Sequence, residues 1–253
     1  MSQKHYNANY LENTGEFLKS LKESTYQPFL EIEEGTIIDL GCGTGIDVLN
    51  MDAVLSRKIK LVGIDHDDAM LEKGRAANAS DRVAFIQSEA TNIPFASDSI
   101  AGLRAERLVQ HLAHPEKVFD EIHRVLQKDH PLVIVETDWS GLIFYDENIA
   151  VQQKVIDYLT NIKINNGFAS RKLIGYLRNS GFSNINIQVV PFILKTLEEA
   201  NNYLWIEVIL NEAKEKGYLS EEEHSEFVKS LKLSDKEACF ACSINIVVVS
   251  SKK

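Results

Sequence analysis

Hydrophobic positions along the chain fall into short, β-branched runs separated by stretches of helical spacing. Thr36-Ile-Ile-Asp-Leu40, Lys60-Leu-Val-Gly-Ile-Asp65, Arg82-Val-Ala-Phe-Ile-Gln87, Ser99-Ile-Ala-Gly-Leu103 and Pro131-Leu-Val-Ile-Val-Glu136 read as strands. The fourth is the weakest, because Gly102 lies inside it. Between the runs, Ala69, Met70, Leu71 and Ala76 share one side of a helix. Val118, Phe119, Ile122, Val125 and Leu126 repeat with helical period behind Pro115, a residue suited to a first turn. Leu11, Phe17, Leu18 and Leu21 predict one or two helices over residues 7 to 30. Strands alternating with helices at this spacing predict parallel βαβ units, and hence an α/β, doubly wound sheet.

Beyond residue 140 the pattern changes. Residues 148–164 and 170–180 read as helices, the second closed by Gly181 as a C-cap. Asn184 to Val190 alternates as a strand, and Phe240 to Val249 forms a long last one. From 197 to 232 the chain is mostly helical, with Leu197, Ala200, Leu204, Trp205, Val208 and Ile209 on one stripe. That block exceeds what a crossover requires, so it is expected to form a lid. The expected organisation is an N-terminal helical cap (1–34), a ligand-binding core (35–140), and a third segment (141–253) that completes the sheet and carries a helical lid at about 196–235.

In a doubly wound sheet, ligands sit outside the carboxyl ends of the strands. Asp39, Asp65, Glu89, Arg104 and Glu136 all fall at or just past predicted strand ends, so they are expected to share one rim. The first strand runs into Gly41-Cys-Gly-Thr-Gly45 and then a helical pattern. Such a turn lets a ligand approach bare backbone, and the helix beyond it offers unpaired N–H groups and a positive dipole end. A Walker-type phosphate loop is excluded because no Gly-Lys-Ser/Thr follows. A dinucleotide site wants a third glycine where this chain has Ile46, while Asp65 suits any ribose with free hydroxyls.

The 253 residues carry a net charge of -10, which argues against a sequence-independent grip on nucleic-acid phosphates. No apolar run approaches the roughly 18 residues of a membrane span, and the first residues lack the apolar core of a secretory signal. Three cysteines give no disulfide framework, so a cytoplasmic setting without membrane attachment is expected. Cys239-Phe-Ala-Cys242 is a lone pair in a predicted strand, where core packing is the expected role. His111-Leu-Ala-His114 has ligand-like spacing but no third ligand nearby, so no metal is expected.

Several of these stretches together resemble class I S-adenosylmethionine-dependent methyltransferases, in particular their small-molecule group. Ile37-Ile-Asp-Leu-Gly-Cys-Gly-Thr-Gly45 looks like the first motif of that family, and Val62-Gly-Ile-Asp65 with Met70-Leu71 like the second. Phe85 to Phe95 resembles the loop after the third strand, Glu121 to Leu126 the helix before the fifth, and Gly167 to Phe182 a later segment. The chain departs from the pattern at Glu89, where an aspartate is usual, at Ala101, where many members carry an acid, and at Lys128-Asp-His130, where Pro-Gly-Gly is common.

The resemblance implies a Rossmann-like, mostly parallel sheet of seven strands and S-adenosyl-L-methionine as cofactor. It implies that Gly41, Cys42 and Gly43 lie along the methionine part, with Asp39 near its amino group. Asp65 would take both ribose hydroxyls, His66 would lie against adenine, and Glu89 with the backbone of Ala90 would border the base. Arg104 would meet the methionine carboxylate or face solvent.

Methyl transfer from a sulfonium is an in-line displacement in which proximity and orientation alone can supply ~7–11 kcal/mol. A base is needed where the acceptor carries a proton, and His111 is the candidate, with a polar residue opening a helix as the alternative. Tyr10, Trp139 and Trp205 are candidate acceptor contacts, and Glu106, Arg107, Glu136 and Asp138 are further rim residues. The expected function is methyl transfer to a small-molecule acceptor. A non-catalytic regulator that binds the same nucleoside and a nicotinamide-dependent oxidoreductase are the alternatives, and a homodimer is compatible with the sequence.

Overall fold

The computed structural model describes residues 19–253, so Tyr10 and the helical spacing expected before Lys19 lie outside the described residues. Helix α1 (Lys19–Tyr26) passes through a 3-10 turn (Gln27–Phe29) into β1 (Gly35–Leu40). There follow α2 (Ile46–Val54), β2 (Ile59–Asp65), α3 (Asp68–Ala77), β3 (Val83–Gln87), β4 (Gly102–Glu106), a 3-10 turn (Val109–His111), α4 (Pro115–Val125) and β5 (Pro131–Phe144). The second half holds α5 (Ile149–Tyr158), a π-helical turn (Leu159–Lys163), α6 (Ala169–Asn179), β6 (Ser183–Leu194), α7 (Leu197–Leu204), α8 (Ile206–Glu215), α9 (Glu221–Lys236) and β7 (Cys242–Lys252).

The strands form one seven-stranded sheet in the order β3-β2-β1-β4-β5-β7-β6, the expected α/β architecture. Neighbours from β3 through β5 pair parallel, and Asp39 of β1 lies between Gly63 of β2 and Arg104 of β4. Strand order reverses between β1 and β4, which makes the turn after β1 the switch point where such sheets bind ligands.

Local signals explain most element ends. Asp67 caps α3 by accepting from the Ala69 and Met70 N–H groups. Helices α7 and α9 open with capping boxes, Thr196 with Glu199 and Ser220 with Glu223. Gly181, at φ +87°, takes the left-handed position after α6, while Phe182 N–H donates back to Leu177 O. In α4, Val118, Phe119, Ile122 and Val125 are buried, as their spacing predicts.

Four expectations need correction. The fourth strand begins at Gly102 rather than Ser99, because Ile100 makes only an isolated bridge to Leu126. Gly102 therefore opens the strand, where a Cβ would lie 2.8 Å from the Phe29 ring. Arg104 consequently sits inside β4 and not past its end. Strand β5 continues to Phe144, so Glu136 and Trp139 lie within a strand; Glu136 reaches the rim because β4 stops beside Val135. The continuous stripe across 197–209 is broken at Trp205, whose left-handed φ/ψ of 57°/42° resets the helical phase. Val208 is exposed as a result, and Ile206, Ile209, Leu210 and Ala213 are buried. Cys242 is buried at the start of β7, whereas Cys239 precedes the strand and is exposed.

The chain divides into two compact units. One comprises residues 19–136, Arg171–Gln188 and Val248–Lys253; the other contains Thr137–Ser170 and Val189–Val247. The second unit has its own apolar core, in which Trp139, Phe144, Val155, Leu159, Ile209, Phe227 and Ile244 pack together. Phe144 and Phe227 meet edge to face at 5.3 Å.

Candidate functional site

Three glycines make the turn after β1, and all are left-handed: Gly41 (φ 73°), Gly43 (φ 53°) and Gly45 (φ 74°). An L side chain would be strained at each. At Gly45 a Cβ would also lie 2.2 Å from a Phe85 ring carbon, and at Gly63 it would press on both Cys42 Sγ and Phe85 at 2.8 Å. Phe85, from β3, thus fills the space beneath the turn that the glycines leave open. The turn is tied to β2 by two donors, since Gly41 and Cys42 N–H both reach Ile64 O at 2.7 and 3.0 Å.

Asp65 ends β2 beside this turn. Its Oδ2 accepts from Gly43 N–H at 2.8 Å and its Oδ1 from Asp67 N–H at 2.9 Å. A carboxylate offers about four lone-pair sites, so two backbone donors fix its orientation and leave acceptor capacity on both oxygens. That arrangement suits a vicinal diol. His66 Nδ1 is 3.2 Å from Asp65 Oδ1 with its ring largely exposed, and Gln87 Nε2 donates to His66 O at 3.0 Å. Glu89 is exposed and Ala90 half-buried in the loop after β3. That loop is clamped to α4: Ile93 N–H donates to Glu121 Oε2, and Arg124 donates to Ile93 O, Phe95 O and Glu121. The clamp was not foreseen as part of the site, and it sets the loop that carries Glu89.

Under the turn lies a buried ionic cluster. Arg104 is wholly buried, which excludes the solvent-facing reading. Its Nε donates to Thr25 Oγ1 at 3.0 Å, Nη1 to Asp39 Oδ1 at 3.1 Å, and Nη2 to Glu106. Asp47, in the first turn of α2, is 3.7 Å from the same guanidinium. It accepts from Tyr26 OH at 2.5 Å and pairs with Lys22 at 2.5 Å. Lys22 Nζ is also 3.1 Å from Glu106 Oε1, and the Tyr26 ring lies 5.4 Å from Arg104 Cζ.

Within this region Asp39, Glu106 and Cys42 are displaced from their ordinary ranges. Burial raises the Asp39 carboxyl to about 7, because Arg104 divides its attraction among three carboxylates and only partly offsets the lost hydration. Glu106 is equally buried, yet Lys22, Arg104 and Arg107 overcome that penalty and hold it well below the usual carboxylate range. Burial, then Asp39 and Asp65, push the Cys42 thiol well up, so it is no nucleophile at neutral pH.

His111 is half-buried in the 3-10 turn beyond β4. The first donors of that turn, Val109 and Gln110 N–H, reach Glu136 Oε1 at 2.5 and 3.4 Å. Glu136 is wholly buried and its carboxyl is raised to about 8 by burial, against the two backbone donors. In the other unit Trp139 is buried in the core and Trp205 is half-buried at the α7–α8 junction. There, Asp138 Oδ1 accepts from Ser140 Oγ at 2.6 Å and Ser170 Oγ at 3.1 Å.

A model of the methyltransferase domain matches residues 32–243. The chain belongs to the class I S-adenosylmethionine-dependent methyltransferases. Its domain is therefore one that uses S-adenosyl-L-methionine, and the pinned Asp65 and open glycine turn fit that ligand's ribose and backbone-facing methionine part. It is 30% identical over 177 residues to the ubiquinone/menaquinone biosynthesis C-methyltransferase UbiE of Campylobacter jejuni, covering 62% of this chain and 74% of that one. It is 26% identical over 185 residues to an uncharacterized 37.1 kDa protein in transposon TN4556 of Streptomyces fradiae, covering 72% of this chain. The match spans about half the length of that relative, 53%. Among solved structures, geranyl diphosphate methyltransferase in complex with S-adenosylmethionine has a TM-score of 0.59 at 15% identity, covering 99% of this chain and 92% of that one. At that identity the likeness shows the shared fold. Among the described residues, no helix is long and apolar enough to cross a membrane.

Proposed function

We propose that this methyltransferase transfers the sulfonium methyl of S-adenosylmethionine to a small-molecule acceptor. The observation that carries the cofactor side is Asp65, held by two backbone donors beside three left-handed glycines. Asp65 takes the two ribose hydroxyls. Gly41, Cys42 and Gly43 line the methionine part, and His66, Glu89 and Ala90 border adenine. Asp39 receives the α-ammonium, with Arg104 orienting it from below.

The cofactor, when bound, supplies a methyl group on an excellent leaving group. The chain's own contribution is then largely orientation. His111 accepts a proton where the acceptor carries one, a step that suits an imidazole near neutral pH.

A small acceptor is supported by three features. The α7–α9 block (197–236) lies between β6 and β7 and packs on its own core with Trp139 and Phe227. Relatives include UbiE, named as a ubiquinone/menaquinone biosynthesis C-methyltransferase, and a protein of similar fold is named geranyl diphosphate methyltransferase. The acidic balance of -10 disfavours nucleic acid. In this reading Trp139 and Trp205 select the acceptor, and α7–α9 act as its lid.

Calorimetry with S-adenosylmethionine tests the cofactor reading: the wild type binds, and Asp65→Ala loses binding at least tenfold. A metabolite screen reading S-adenosylhomocysteine release tests the transfer. Binding with no release from any small acceptor would replace the enzyme by a regulatory binder.

A further inference from the structure

The turn that carries His111 is built with more care than a connection needs. Arg107, the residue after β4, is left-handed at φ 52°, and its N–H donates to Val135 O of β5 at 2.7 Å. Non-glycine residues rarely take that conformation, and they hold it where the surroundings determine it. Here it reverses the chain so that Arg107 O faces the Gln110 side chain, whose Nε2 lies 3.4 Å away. The same Nε2 lies 3.1 Å from His111 Nε2. A backbone carbonyl can only accept, so the amide must present its NH2 and not its oxygen on this side. His111 Nε2 must then be the accepting, unprotonated nitrogen, and the proton of the neutral imidazole sits on Nδ1. Gln110 is buried, which limits its freedom to turn elsewhere.

Glu136 supports the arrangement from β5. Its Oε1 receives the N–H groups of Val109 and Gln110, and its Oε2 is buried with no hydrogen-bond partner among the described residues. One oxygen thus satisfies two turn donors, and burial raises the carboxyl to about 8. The surrounding charges, Arg107 and Glu106, offset one another in their effect on it.

We propose that Gln110 and Glu136 are positioning residues for His111: Glu136 fixes the 3-10 turn, and the Gln110 amide sets the Nδ1–H tautomer, leaving Nε2 as the basic atom. The proposal rests on the reading of His111 as the proton acceptor. When an acceptor hydroxyl or acidic C–H presents its proton to Nε2, the Gln110 amide gives up that lone pair and keeps Arg107 O as its acceptor. The proton moves to Nε2, the electron pair stays on the acceptor atom, and the imidazolium holds one proton on each nitrogen.

The test is a long-range 1H–15N spectrum of the full chain labelled at histidine, with the His111 signals identified by their loss in His111→Asn. At pH 7.5 the wild type should show protonated Nδ1 and unprotonated Nε2. Gln110→Glu, which places an acceptor at the same point, should invert the pattern to Nε2–H, and Gln110→Leu should release it toward the Nε2–H form that free imidazole favours. For Glu136, hydrogen exchange at the Val109 and Gln110 amides should rise at least tenfold in Glu136→Leu and stay near wild type in Glu136→Gln, whose amide oxygen still accepts. An Nε2–H tautomer in the wild type, or one indifferent to Gln110→Glu, overturns the assignment to Gln110. Unchanged exchange in Glu136→Leu overturns that to Glu136. These readouts need no acceptor, so they stand apart from the base assignment, which turnover by His111→Asn at the wild-type rate would refute.

Discussion

The buried Asp39 carboxyl makes cofactor affinity depend on pH. Burial raises it to about 7 in the free chain, against an ordinary 3.8, because Arg104 is shared with Asp47 and Glu106. A bound α-ammonium beside Asp39 favours the ionised form and lowers that pKa. Below pH 7, binding must therefore expel a proton. The sign follows: affinity is full above about pH 7 and is lost as pH falls, by up to tenfold or ~1.4 kcal/mol per unit. Between pH 8.0 and 5.5 the loss reaches roughly thirtyfold where the bound pKa lies well below 5.5, and about half of that falls between pH 7.0 and 5.5. Calorimetry in two buffers of different ionisation enthalpy counts the proton directly, approaching one released at pH 5.5 and near none at pH 8. Asp39→Asn should bind more weakly at pH 7.5 and show no slope. A histidine can also titrate in this window, so His66→Gln is the control and should retain the slope. Wild-type affinity flat from pH 7.5 to 5.5, or a slope that survives in Asp39→Asn, refutes the reasoning.

Other perturbations separate the cofactor site from the scaffold. Asp65→Ala removes the acceptor that two backbone donors hold in place, and charged hydrogen bonds of this kind contribute ~1.5–3 kcal/mol each; isothermal titration should show S-adenosylmethionine affinity falling by ten- to several-hundredfold. Gly45→Ala combines a φ of +74° with a Cβ 2.2 Å from the Phe85 ring, so urea denaturation should show a loss of about 2–4 kcal/mol, with Gly45→Ala/Phe85→Leu recovering part of it. Phe227→Ala empties the middle of the second unit's core, where the ring is wholly buried against Phe144; a loss of ~3–5 kcal/mol is expected by thermal or urea unfolding.

Features that depend on neighbours along the chain are legible in one dimension. A β-branched run, three glycines and a helical pattern specify strand, left-handed turn and helix, because only glycine adopts that turn without strain. The placement of Asp65 followed from the same local logic, since a strand's last side chain projects at the sheet's carboxyl edge. The C-cap at Gly181 was legible for a similar reason, whereas the capping boxes at Thr196 and Ser220 emerged with the structure.

Tertiary structure decided the rest, through contacts that periodicity does not encode. Phe85 fits beneath Gly45 only because β3 lies in register two strands from β1. Arg104 reads as a rim residue in sequence, yet the parallel register sets it opposite Asp39, and α1 closes over it with Thr25, Lys22 and Tyr26. A charge that looks solvated in one dimension becomes a buried pair when partners 65 and 79 residues away supply the hydrogen bonds. The start of β4, the length of β5 and the break at Trp205 were likewise set by packing, where the local pattern permits more than one register. The glycine turn and Asp65 thus announce the cofactor in one dimension, whereas the protonation of Asp39 and the setting of His111 exist only once distant strands have brought their charges together.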